Sequence, residues 1–232
     1  MKLLLFDVDQ TLISTGGAGV RALNRAFQKL FHLDNAMAGI LPHGKTDPGI
    51  IREIFTSRRG LDTGDGFPTS LHSVLDSYLG FLDEEIESTP NYRILPGISD
   101  MLDSVSGRSD ILVGLATGNI EAGARIKLQR GNLNRYFAFG GFGSDSENRA
   151  ELVRRGAEKA AEYSGSTPNP NEVFVIGDTP RDVEAGREAG FLTVGVATGK
   201  YSKAELAEAG ATVAISNFAQ EQDQFFRITR IE

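Results

Sequence analysis

The sequence predicts an α/β protein: a Rossmann-like, doubly wound parallel sheet into which an all-helical domain is inserted. Three observations carry that prediction. Short apolar runs rich in Leu, Val, Ile and Phe recur along the chain without the apolar/polar alternation of half-exposed strands, which suits a parallel sheet covered on both faces. From Ile111 onward these runs alternate with helical patterns, the order of βαβ units. Between about Thr15 and Thr89 the alternation stops and only helical patterns remain.

The predicted strands are residues 2–6, 111–115, 136–139, 172–176, 192–196 and 212–215. Helices are predicted at 98–105, 120–129, 150–163, 181–189 and 203–209, the fourth of these stopped by Gly190, which suits a left-handed position after a helix. The interruption reads as three amphipathic helices, 20–31, 48–55 and 71–86, with a short loop at Gly60–Gly66. Leu23, Phe27, Leu30 and Phe31 recur at helical spacing in the first and read as packing residues. Ser14-Thr15-Gly16-Gly17 and Ser88-Thr89-Pro90-Asn91 punctuate the two edges as paired linkers. The expected organisation is thus a discontinuous sheet domain, residues 1–14 and 92–232, and a helical domain, residues 15–91.

Composition narrows the function. A chain of 232 residues is long enough to bury a substantial core. With 31 acidic against 24 basic residues the net charge is −7, so no broad positive field exists to hold a nucleic-acid backbone. The absence of Cys removes disulfides, thiolate nucleophiles and thiolate-bound metals; any metal must sit on oxygen or imidazole. The apolar start Leu3-Leu4-Leu5-Phe6 is too short for a leader core or a membrane span, and Asp7 and Asp9 follow at once. The reading is a cytoplasmic enzyme, monomer or homodimer, with a small-molecule partner and neither nucleic acid nor membrane.

Open α/β sheets bind ligands beyond the carboxyl ends of their strands. Three such ends carry polar residues: Asp7-Val8-Asp9-Gln10-Thr11, Thr117-Gly118-Asn119, and Gly177-Asp178-Thr179-Pro180-Arg181-Asp182. Parallel strands share one direction, so Asp7, Asp9, Thr117, Asp178 and Asp182 should converge on one rim. Carboxylates gathered in this way repel one another unless a cation sits among them. All-oxygen ligation in a half-open site favours Mg2+, which shares its coordination with water and a substrate phosphate. Two Asp at i and i+2 permit separate roles: one attacks phosphorus or holds metal, the other exchanges a proton with the leaving oxygen and with water. The turn at Thr117, Gly118 and Asn119 offers a hydroxyl and main-chain N–H groups to a phosphoryl oxygen.

These residues together resemble the haloacid dehalogenase-like hydrolase superfamily. Its first motif is similar to Asp7-Val8-Asp9-Gln10-Thr11, its second to Thr117, and its fourth to Gly177-Asp178 with Asp182; the helical insert matches the cap placed after the first strand in one branch. The resemblance implies that Asp7 is a nucleophile forming an aspartyl-phosphate, and that Asp9 is the general acid and then base. It implies that Asp7, the main-chain carbonyl of Asp9, and Asp178 hold Mg2+, with Asp182 supporting them, and that Thr117, Gly118 and Asn119 bind the phosphoryl group. Asp9 also favours phosphoryl transfer involving oxygen, because relatives acting on carbon–halogen or carbon–phosphorus bonds lack that residue. The implied substrate is a small phosphorylated metabolite. Gly44-Lys45-Thr46-Asp47 with Ile50 resembles a cap segment of phosphoglycolate-phosphatase-type enzymes, and Lys45 and Arg21 are the cap candidates for the leaving group.

Two positions depart from the family pattern. Gln10 stands where the first motif has Gly, and no Lys occupies the start of the helix after the third strand, where Arg149 is the expected substitute for phosphate binding. Arg154 and Arg155 fall inside that helix and fit less well. His32, His43 and His72 all lie in the insert and read as surface or packing residues. The competing readings are a phosphomutase passing the phosphoryl group to a sugar hydroxyl, a regulatory domain phosphorylated on Asp, and a non-catalytic binding protein. Residue by residue, the simpler alternatives are strand-end turn residues for Asp7 and Asp9, a helix cap for Thr117, and dipole-complementing acids for Asp178 and Asp182.

Overall fold

The computed structural model of the protein describes residues 1–58, 61 and 64–231. In chain order its elements are β1 (Lys2–Phe6), β2 (Ile13–Ser14), α1 (Ala18–Phe31), α2 (Asp47–Ser57), α3 (Phe67–Ser88), β3 (Arg93–Ile94), α4 (Ile98–Val105), β4 (Ile111–Thr117), α5 (Glu121–Gln129), β5 (Gly140–Phe142), α6 (Arg149–Ser164), β6 (Val173–Gly177), α7 (Pro180–Glu188), β7 (Leu192–Val196), α8 (Lys203–Glu208), β8 (Val213–Ile215) and α9 (Phe218–Thr229). Six strands form one sheet in the order β5-β4-β1-β6-β7-β8, every pair parallel. The strand β1 is central, so its carboxyl end lies between those of β4 and β6.

Both faces of β1 are buried, as its unbroken apolar run requires. Leu4 and Phe6 enter a cluster with Met101, Leu128 and Phe218, whereas Leu3 and Leu5 point the other way and pack with Leu152, Val153 and Ala185. Each such buried side chain contributes about 1.5–3 kcal/mol of transfer free energy. A third cluster belongs to the inserted segment, where α1, α2 and α3 enclose Phe27, Ile51, Phe55, Val74 and Tyr78. Edge-on ring contacts of 5.7 Å between Phe27 and Phe55 and 5.2 Å between Phe55 and Phe67 lock those helices together. The loop expected at Gly60–Gly66 falls largely outside the described residues.

The structure corrects the expected third strand. Residues 134–136 form a 3-10 turn, and Phe137 and Phe139 fill the core from a loop. The strand is β5, Gly140-Gly141-Phe142. Its glycines have low strand propensity, but a Cβ on Gly141 would stand 1.7 Å from the Leu152 carbonyl, so only Gly lets α6 pack this closely on the sheet edge. Two further elements were not anticipated. The chain on either side of the insert pairs as an antiparallel ribbon, Ile13 with Ile94 and Ser14 with Arg93, and α9 closes one sheet face with Phe218 and Phe225.

Candidate active site

The carboxyl ends of β1, β4 and β6 meet around one cavity of about 180 Å³. Asp7 leaves β1 with its N–H bonded to the Ile176 carbonyl at 2.8 Å, which ties the first loop to β6. The chain then turns sharply, the N–H groups of Leu12 and Ile13 both returning to the Val8 carbonyl. Gln10 takes the left-handed region with φ of 60°, the conformation that favours Gly, and its Nε2 reaches Ser14 Oγ at 3.2 Å. Gln10 therefore keeps the turn that glycine would make.

The carboxylates of Asp7, Asp178 and Asp182 each present an oxygen within 4.8 Å of the others, and all three residues are buried. Burial is the largest force raising the Asp7 pKa, with the Asp182 charge next; Arg149 and the Thr117 hydroxyl pull against them. Asp178 is also raised, by burial and then by Asp182 and Asp7. A crowded, dry set of oxygens of this kind fits a hard divalent cation. Asp182 is already committed: Oδ2 accepts from the N–H and hydroxyl of Thr179, capping α7, and Oδ1 pairs with Arg149. That leaves Asp7 and Asp178 as the side chains that could hold such a cation. No main-chain N–H among the described residues donates to the Asp9 carbonyl, which leaves that oxygen available as well. Gly199 closes the Asp178 side; a Cβ there would lie 1.8 Å from Asp178 Oδ2.

Arg149, the first residue of α6, reaches over Gly118 and lies 3.8 Å from Asp7 Oδ1. Its Nε is buried without a hydrogen-bond partner. Thr117 is fully buried, and its Oγ accepts from the N–H and Nδ2 of Asn119 at 3.3 and 2.8 Å. The strand ends and the start of α6 thus bring Asp7, Thr117, Gly118, Asn119, Arg149 and Asp178 to the lining of one cavity.

The Asp9 side chain lines the same cavity and is held by α5 and by the turn after β4. Its Oδ2 accepts from Lys127 Nζ at 2.6 Å and from Asn119 Nδ2 at 2.9 Å. Lys127, on α5, was not anticipated in the site. It is 5% exposed, and burial works to lower its pKa, yet the charge of Asp9 together with Tyr78 and Asp47 raises it overall. The signal was its spacing: Gly123, Ala124, Lys127 and Leu128 form the buried stripe of α5, so position 127 faces inward.

The inserted segment supplies the rest of the cavity lining. The Asp47 N–H donates to the Gly118 carbonyl at 2.8 Å, and Asp47 Oδ2 accepts from the Ile120 N–H at 2.9 Å. Burial is the main cause that pushes the Asp47 pKa up to about 6. Gly118 is required at this contact, because a Cβ would stand 2.2 Å from the Lys45 carbonyl. Lys45 lines the cavity with its Nζ paired to Glu53. Arg21 does not line it: its Nε and NH1 bond Glu85 and the Gly16 carbonyl. His43, read from sequence as a surface or packing residue, is on the cavity wall, and its carbonyl accepts from Arg181. Val20, Leu23, Met37, Ile50 and Tyr78 supply the apolar part of that wall.

Comparison with known proteins matches residues 4–196 to the haloacid dehalogenase-like hydrolase family. A curated relative, phosphoglycolate phosphatase from Synechococcus elongatus, is 31% identical over 125 residues, which spans 52% of this chain and about half, 53%, of the relative. Among solved structures, a hydrolase from Pseudomonas syringae superposes with a TM-score of 0.72 at 19% identity, covering 98% of this chain and 99% of that one. A mutant of CbbY from Rhodobacter sphaeroides in complex with xylulose-(1,5)bisphosphate gives 0.73 at 19% identity, covering 95% and 96%. These likenesses show the shared fold. No described helix is long and apolar enough to cross a membrane.

Proposed function

The chain belongs to the haloacid dehalogenase-like hydrolase family, and from that premise we propose that it is a Mg2+-dependent phosphatase of small phosphomonoesters acting through an aspartyl-phosphate on Asp7. The observation that carries this reading is the convergence of Asp7, Asp9, Asp178, Thr117 and Arg149 on one cavity at the strand ends. Residues 15–91 act as a cap over a core of residues 1–14 and 92–232.

Asp7 and Asp178, with the Asp9 carbonyl, would hold Mg2+, and Asp182 would fix Arg149 beside them. The cation supplies neutralisation of the carboxylate and phosphoryl charge when bound. Arg149 and the Thr117–Asn119 turn bind and orient the phosphoryl oxygens, so that an Asp7 oxygen stands in line with the scissile P–O bond. The Asp7 oxygen forms a bond to phosphorus as the ester oxygen leaves, and Asp9 gives that oxygen its proton. A water then attacks phosphorus, Asp9 takes its proton, and the Asp7–phosphorus bond breaks to release phosphate. The cap contacts at Gly118 and Ile120 exclude bulk water during the first step.

The substrate class is a phosphoglycolate-like ester or a sugar phosphate. The name of the Synechococcus relative supports the first, and the sugar bisphosphate bound to the CbbY structure supports the second. Lys45 is the cap residue placed to meet the leaving group, once released from Glu53.

The test is phosphate release from p-nitrophenyl phosphate by the purified chain with Mg2+, with EDTA, and with Asp7→Asn. Release that needs Mg2+ and is lost in Asp7→Asn is expected. Full activity of Asp7→Asn would end the covalent mechanism. Isomerisation of a sugar phosphate without phosphate release would turn the reading to a phosphomutase.

A further inference from the structure

Lys127 is a buried cation that the chemistry at Asp7 does not use. It sits on α5, in the buried stripe with Gly123, Ala124 and Leu128, where an apolar side chain would satisfy packing at lower cost. Its Nζ instead bonds Asp9 Oδ2 at 2.6 Å and Asn119 Oδ1 at 2.5 Å. Asn119 completes a triangle by donating Nδ2 to the same Asp9 oxygen at 2.9 Å. The inserted helices wall this group in: a Cβ on Gly19 of α1 would lie 3.7 Å from Nζ and 3.6 Å from the Tyr78 hydroxyl of α3. Arg149, by contrast, serves Asp7 and Asp182. Arg149 and Lys127 thus serve different carboxylates of the site, Lys127 pairing with Asp9.

We propose that Lys127 is a positioning residue for Asp9: with Asn119 it holds Oδ2, and so aims the other carboxylate oxygen, Oδ1, at the leaving-group oxygen of the substrate. Both holds fall on one oxygen, which fixes the carboxylate plane and leaves the second oxygen for proton transfer. Asp9 lies in the turn just before the left-handed Gln10 and has a half-exposed side chain, so without these bonds it would sample several rotamers. The inference rests on the phosphatase reading, and its consequence for the first step is selective: there Lys127 matters for esters whose leaving group needs a proton and little for those that leave as stable anions, whereas the second step, in which Asp9 takes the water's proton, is common to all esters and falls outside kcat/KM.

The full chain with Mg2+ is assayed on an alkyl phosphomonoester, glycerol 2-phosphate, and on p-nitrophenyl phosphate, for wild type, Lys127→Met, Asp9→Asn and the double variant. For Lys127→Met, kcat/KM on the alkyl ester should fall about 10–100-fold, the range for removing a residue that orients a reacting group, with less than about a threefold change in kcat/KM on the aryl ester. The double variant should lose no more than Asp9→Asn, because the two residues act as one unit. Equal losses of kcat/KM on both esters, or losses that multiply in the double variant, would overturn the proposal. Circular dichroism checks folding; where Lys127→Met does not fold, Lys127→Gln, which keeps a hydrogen-bond donor, carries the same selective loss, and a uniform loss overturns it. A wild type inactive on both esters would overturn the phosphatase reading itself, so the two failures are read from different proteins.

Discussion

Arg149 and Asp182 form an ion pair with both partners withdrawn from water, and the second oxygen of Asp182 is held in turn by the N–H and hydroxyl of Thr179. The chain from Thr179 through Asp182 to Arg149 makes the helix cap of α7 the support for the guanidinium beside Asp7. A cap on a sheet helix thus serves the site, which reconciles the dipole-complementing and the functional readings of Asp182.

Replacing Arg149 by Met strips the cation paired with the buried carboxylates of Asp7 and Asp182, and should destabilise the chain by about 3–5 kcal/mol in metal-free buffer. Arg149→Lys keeps the charge and should cost less in stability, while raising KM for the phosphoester by losing the two-pronged guanidinium. Denaturant unfolding in EDTA and steady-state kinetics check the two parts. Equal stability of Arg149→Met and wild type would mean that the pair contributes nothing.

Asp7 and Asp178 both have folded-state pKa values raised by burial and by neighbouring carboxylates. The folded chain then binds protons more tightly than the unfolded one. Stability from these groups is complete below the ordinary carboxylate range and is lost as pH rises through the raised values. Thermal melts in EDTA should show a lower midpoint at about pH 8 than at about pH 5. Mg2+ should restore more stability at the higher pH, and Asp178→Asn should flatten the EDTA profile. A profile that is flat in wild type would show that the crowding is relieved without a cation.

Which parts of this site were legible in the sequence follows from their physics. Strand-end motifs are local, and a parallel sheet aligns them regardless of separation, so Asp7, Thr117 and Asp178 were readable together. Lys127 was not, because a Lys in the last turn of a helix ordinarily complements the macrodipole at the surface. Only its register with Ala124 and Leu128 marks it as inward. The β5 strand was missed for a related reason: Gly140 and Gly141 are chosen by the close approach of α6, a tertiary demand invisible to propensity. Asp47 was read as part of a cap segment, but its bonds to Gly118 and Ile120 depend on how that segment meets the sheet.

Gln10 tests how far a turn tolerates a side chain. With φ of 60° it pays the left-handed penalty, about 1 kcal/mol, which its bond to Ser14 and that from the Thr198 hydroxyl to its carbonyl partly offset. Gln10→Gly removes the penalty but loosens the unfolded chain, so its stability should lie within about 1 kcal/mol of wild type. Gln10→Val, β-branched in the same conformation, should be clearly destabilised. Chemical unfolding separates them, and a fully stable Gln10→Val would refute the backbone assignment.

Glu85 ties α3 to α1, bonding Arg21 Nε at 2.6 Å and Arg25 NH1 at 3.1 Å. Its pKa is lowered, chiefly by the Arg21 hydrogen bond, so the unfolded chain takes up its proton first as pH falls. The stabilisation is present above the ordinary Glu range and is lost as pH drops through the depressed value. The arginines are partly exposed, which limits the effect of Glu85→Gln at neutral pH to about 1 kcal/mol or less. The difference between wild type and Glu85→Gln should shrink toward zero at about pH 3 and diminish in molar salt. A difference that stays constant with pH would mean that Glu85 acts through packing of its stem on α1 rather than through charge. Arg21 is engaged in this tie rather than in the cavity, so Arg21→Ala should weaken the α1–α3 contact while leaving KM for substrate unchanged.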